Sequence, residues 1–167
     1  MMPGDTLKKC HELLKPGGYI SISTWAYLPW YSHVARSVEL LPESERPTMP
    51  SESEVRNILY KNRPYDDPDY ISTILKEAGF TDVSVTSRET LASGGTPIHF
   101  CDVMYLPLKM ISGFWVKDQS AKGDEEKEKL VRAVQEKLLG LLEEEFGKGG
   151  ATKMTFKAIM GSGRKAQ

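Results

Sequence analysis

Three times along this chain of 167 residues, an amphipathic helical pattern runs into glycine and a short, β-prone stretch follows. This order is the sequence form of an αβ unit, the kind used in parallel sheets, and it constrains the fold more than any other feature. In the first unit, Leu7, Cys10, Leu13 and Leu14 fall on one helical face over residues 5–15. Asp5 can cap its start. Pro16-Gly17-Gly18 ends it, since proline cannot continue the ladder and glycine accepts the left-handed conformation. Residues 19–25 then alternate Ile20 and Ile22 against Tyr19, Ser21, Ser23 and Trp25. In the second unit, Asp67 and Pro68 open a helix whose apolar face is Ile71, Ile74, Leu75 and Ala78. Gly79 stops it, and Val83 and Val85 alternate against Thr81, Ser84 and Thr86. The third unit is the longest helix, 124–146, with Asp124, Glu125 and Glu126 at the positive end of its dipole. Leu130, Val134, Leu138, Leu141 and Leu142 form its buried stripe, and residues 152–160 form a last strand. Gly161-Ser162-Gly163-Arg164-Lys165 reads as a frayed tail.

Between the first two units the character changes. Prolines at 29, 42, 47, 50 and 64 exclude long regular elements over 26–66. Short helices fit 30–41, with Trp30, Val34, Val38 and Leu41 on one stripe, and 52–61. Ser51 and Glu54 form an S-x-x-E capping box for the second of these. Residues 26–66 are therefore expected to be a lid-like helical insertion within a single domain, 1–167. Farther on, 92–104 read as a Gly-Gly-Thr-Pro loop and a short apolar stretch, 105–116 as a broken helix, and 117–123 as a polar loop.

The bulk properties exclude some functions. A formal net charge of −1 gives no electrostatic reason to expect nucleic acid or an anionic membrane. No apolar run approaches the roughly 18 residues needed to span a bilayer. Cys10 and Cys101 read as free thiols of a reducing compartment, so a cytoplasmic location is expected.

Three blocks carry a family resemblance. Leu7-Lys-Lys-Cys-His-Glu-Leu-Leu-Lys-Pro-Gly-Gly18 with its strand resembles the helix–turn–strand that delivers the fifth strand of class I S-adenosylmethionine-dependent methyltransferases. Ile74-Leu-Lys-Glu-Ala-Gly-Phe80 with Val83 and Val85 resembles the unit leading into their sixth strand. Met154-Thr-Phe-Lys-Ala-Ile-Met-Gly-Ser-Gly-Arg-Lys165 is similar to the seventh strand and tail of small-molecule methyltransferases, with members from fungal secondary metabolism as the nearest likeness. The resemblance implies an α/β fold: a partial Rossmann-like methyltransferase sheet, equivalent to strands five to seven, with the seventh inserted antiparallel between the other two. It also implies S-adenosylmethionine as cofactor and a small-molecule acceptor.

The family's donor site lies in the first half of its fold. There, glycines let the backbone approach the ligand and a carboxylate grips the ribose. Here the Gly-Gly pairs are 17–18, 94–95 and 149–150, and none is read as following a strand and opening a helix. The chain is thus expected to lack its own donor-binding half, as a truncation or as one part of a complemented enzyme. Such a half sheet would leave an open edge, so a homodimer, a higher assembly or a complementing chain is expected.

Ligands of open α/β sheets bind beyond the carboxyl ends of strands. The segment after residue 24 is accordingly the candidate site. Trp25, Tyr27, Trp30 and Tyr31 are candidate substrate-binding residues able to stack on a ring, or alternatively packing residues. His33 is the candidate catalytic base, or alternatively a helix histidine without chemistry. His11, the His99/Cys101 pair and the Glu143–Glu145 run read as structural, and no metal set is recognised. Three functions stay open: a methyltransferase of small-molecule metabolism, a non-catalytic binding or scaffold protein, and a donor-independent isomerase or cyclase using the lid pocket.

Overall fold

Local sequence chemistry fixes the elements of the computed structural model, which describes residues 3–115 and 123–167. In chain order they are α1 (Pro3–Leu13), β1 (Tyr19–Trp25), α2 (Tyr31–Glu39), α3 (Glu52–Leu59), α4 (Pro68–Glu77), β2 (Thr81–Ser93), α5 (Pro97–Ser112), α6 (Asp124–Phe146) and β3 (Lys153–Arg164). The chain divides into two compact units. One draws on Met1–Tyr27, Arg63–Thr90 and Phe156–Gln167, the other on Leu28–Asn62 and Leu91–Thr155. The segment expected as a lid supplies Leu28–Asn62 of the second unit.

The first unit is a sheet faced by helices. Strand order is β1-β3-β2, and β3 runs antiparallel to β1 in a register from Tyr19 opposite Arg164 to Trp25 opposite Ala158. The third strand thus lies between the other two, the placement the resemblance implied. Ile20 and Ile22 turn inward toward a core of Leu7, Ile71, Ile74, Leu75, Ala78, Phe80 and Ile159. Tyr19, Ser21, Ser23 and Trp25 face outward. Burying each large aliphatic chain contributes about 1.5–3 kcal/mol. The α4 helix begins as its sequence dictates: the Asp67 side chain accepts from Asp69 N at 2.9 Å, and Pro68 follows.

The end of the chain departs from the expected frayed tail. β3 continues to Arg164, and Lys165 closes a ladder onto the Pro16-Gly17-Gly18 turn. Gly17 N donates to Lys165 O at 2.9 Å and Lys165 N to Gly18 O at 2.8 Å. The Lys165 ammonium donates to the carbonyls of Glu12 and Leu14, completing the open C-terminal end of α1. The glycines that suggested looseness answer a steric demand instead. A Cβ on Gly161 would lie 2.6 Å from Ile71 and 2.9 Å from Leu75, and one on Gly163 2.7 Å from Phe80.

The second unit is helical. α5 packs on α6, α2 on α6 and α3 on α5. Phe100, Met104, Leu108 and Ile111 of α5 are buried, as are Val131, Val134, Leu138, Leu141 and Leu142 of α6. Val131 takes the buried place expected for Leu130. The region read as a loop and a broken helix is one helix, 97–112, with Pro107 inside it. The expected polar loop at 117–123 lies outside the described residues except for Gly123. Among the described residues, no helix is long and apolar enough to cross a membrane.

Candidate functional site

The five residues singled out between 25 and 33 fall in both units. Trp25 and Tyr27 belong to the first, and Trp30, Tyr31 and His33 to the second. Trp25 closes β1 on the outward face, 48% exposed, with its ring tilted against Phe156 at 5.2 Å. Tyr27 is half-buried. Trp30 is the residue on which α2 starts. Tyr31 is half-buried and donates its hydroxyl to Pro50 O at 2.8 Å. Burial, then the nearby Glu52 and Glu54 carboxylates, push its phenol above the ordinary range.

His33 stands in the second unit between α2 and α6. Its Nε2 lies 2.9 Å from Glu145 Oε2. Its Nδ1 is buried with no hydrogen-bond partner among the described residues. Ser32, Arg36, Leu141 and Glu144 join the pair around a hollow of about 430 Å3. A carboxylate on one ring nitrogen orients the imidazole and favours a lone pair on the other. Glu145 lies in the run read as a solvated face and is itself 54% exposed; its pairing with His33 is the contact that sequence reading missed. The partners are 112 positions apart, so only the packing of α2 on α6 could reveal them.

The remaining candidates have structural surroundings. His11 meets the Phe80 ring edge-on at 4.9 Å. His99 is exposed while Cys101 is buried, because positions two apart on a helix face opposite ways. Desolvation, then Asp102 and Glu143, push the Cys101 thiol up to about 12. Such a thiol is not a nucleophile at neutral pH. Among the described residues, no three His, Cys, Asp or Glu side chains gather as a metal site.

One glycine pair needs correction. Gly94-Gly95 does follow a strand, β2, and does lead into a helix, α5. Yet the turn is filled by its own chain. Gly94 N donates to Thr152 O, Thr152 N to Gly95 O, and the Thr96 hydroxyl caps His99 N. A Cβ on Gly95 would lie 2.7 Å from the His99 ring. These glycines admit their own helix's side chains rather than a ligand.

No family model matches the chain. Among curated proteins, it is 29% identical to Methyltransferase tpcH of Aspergillus fumigatus over 164 residues, covering 95% of this chain and 52% of that protein. It is 27% identical to Methyltransferase ktnA of Aspergillus niger, covering 99% of this chain and again 52% of the relative. The likeness is to methyltransferases. This methyltransferase-like chain spans about half the length of the curated relatives it matches. A solved phosphoethanolamine N-methyltransferase 2 of Haemonchus contortus, in complex with S-adenosylhomocysteine, aligns at 16% identity with a TM-score of 0.38 and 30% of that protein covered.

Proposed function

We propose that this chain is the C-terminal part of a small-molecule methyltransferase, of the secondary-metabolite type, and that S-adenosylmethionine is held by a further part supplied by a longer protein or a second chain. The observation that carries this reading is the match of nearly the whole chain to about half of each of two methyltransferases. The sheet order adds support: β3 is central and antiparallel to β1, the arrangement expected if β1, β2 and β3 correspond to strands five, six and seven. The free thiols Cys10 and Cys101 suit a cytoplasmic setting.

In this reading the methyl group passes in line from the sulfonium to a nucleophile on the acceptor, and catalysis is chiefly proximity and orientation. Trp25, Tyr27, Trp30 and Tyr31 are the proposed acceptor-binding residues. His33 is the proposed proton acceptor, with Glu145 orienting its ring. The buried Nδ1 becomes reachable only when its surroundings move. A partner is proposed as well. Val103, Leu106 and Met110 line one exposed stripe of α5, a surface whose contact with water is costly.

The test is calorimetric titration of the isolated chain with S-adenosylmethionine. No saturable binding is expected, and micromolar binding would overturn the division of labour. The same stripe serves a scaffold equally well. Absence of methyl transfer once a donor-binding part is restored would favour that second reading.

A further inference from the structure

The second unit contains another hollow, which shares no lining residue with the one at His33. Thr48–Pro50, one side of α3 and Phe114 enclose about 440 Å3, a volume typical of small-molecule sites. Met49, Ile58 and Phe114 supply apolar wall, and Phe114 leaves 54% of its surface exposed. Thr48, Asn57 and Asn62 supply polar groups, and no side-chain hydrogen bond with a described residue takes these up. The charged group on the wall is Glu54. Its Oε2 accepts from Ser51 N and from the Ser51 hydroxyl, both at 2.7 Å. Those bonds hold its carboxyl below the usual range, so it stays an anion already engaged.

The walls are held before any ligand arrives. Tyr31 donates to Pro50 O, and Leu28 N donates to Glu52 Oε1 at 3.1 Å. At the end of α3, Lys61 and Asn62 adopt φ of 53° and 56°, the left-handed region, and Asn62 N donates to Asn57 O at 2.7 Å. That turn fixes the two asparagines on one wall. Preorganised walls reduce the ordering cost of binding.

We propose that this hollow binds an uncharged, planar ring compound bearing hydroxyl or carbonyl groups. The ring lies against Phe114, whose face and edge favour offset or T-shaped aromatic contact. Carboxamides both donate and accept, so Asn57 and Asn62 match either substituent. Glu54 disfavours an anion. The inference stands apart from methyl transfer and needs no donor.

The probe is 2-naphthol, titrated without S-adenosylmethionine and followed by nuclear magnetic resonance on the side-chain amide signals of Asn57 and Asn62. Saturable shifts at both are expected, with 2-naphthoate binding about tenfold more weakly. Phe114→Ala is expected to weaken binding by about two- to twelvefold, the range of an aromatic contact. Asn57→Ala provides a second variant should the first perturb folding, and it is expected to weaken binding as well. No saturable shift at these amides, equal affinity for 2-naphthoate, or unchanged binding by both variants would overturn the proposal.

Discussion

Cys101 shows how burial, with carboxylates nearby, changes a side chain's chemistry. Its Sγ lies 3.9 Å from Gln135 O, with Asp102 and Glu143 nearby, and its thiol is held up to about 12. A raised thiol pKa favours the fold fully below the ordinary thiol range, and that contribution fades as pH climbs through the range toward the folded value. Stability is therefore expected to fall above about pH 9. Cys101→Ala should lessen that fall, read as urea midpoints from neutral to alkaline pH, and identical slopes for the two proteins would refute the assignment. His33 offers a different test. If it accepts the acceptor's proton, His33→Ala lowers methyl transfer by about 10²- to 10⁴-fold in the complete enzyme while the fold persists. An unchanged rate would leave the Glu145 pair with only the task of tying α2 to α6.

Among the elements, β3 departs most from its sequence pattern. Gly161 and Gly163 look like a loose end, because glycine is the residue of flexible tails. In the sheet they are buried positions where α4 and Phe80 approach too closely for a side chain. Gly161→Val is expected to destabilise the protein by about 1–3 kcal/mol, the usual cost of overpacking. A urea midpoint matching the parent's would show that Ile71 and Leu75 can move aside. α5 misled for the opposite reason. Pro107 lacks the N–H that an interior helical position would donate, and the sequence around it reads as broken. Packing of Phe100, Met104, Leu108 and Ile111 in the core of the second unit keeps the helix whole. By contrast, α3 and α4 start where their caps dictate. Ser51 and Glu54 form the full capping box, and Asp67 precedes Pro68, all from contacts within a few residues.

For the molecule as a whole, the proposed partner rests on the exposed apolar stripe of α5. Sedimentation at micromolar concentration is expected to show self-association. A monomer that shifts to a larger species only with a donor-binding chain would replace the homodimer with the complemented enzyme. A monomer under both conditions would remove the partner from the proposal.

The three helix–stop–strand units were legible because each rests on short-range chemistry: an apolar helix face, a glycine stop and a β-prone stretch, with a side-chain cap at α4. Their order also carried the methyltransferase resemblance. Three things required the tertiary fold. The C-terminal tail is a strand, and its glycines sit where neighbours fill the space a side chain would occupy. Gly94-Gly95 proved to be a packing turn because His99 and Phe100 occupy it. Glu145 met His33 because two helices far apart in sequence share a core. Close approach between distant segments is a property of three-dimensional packing, and no local pattern encodes it.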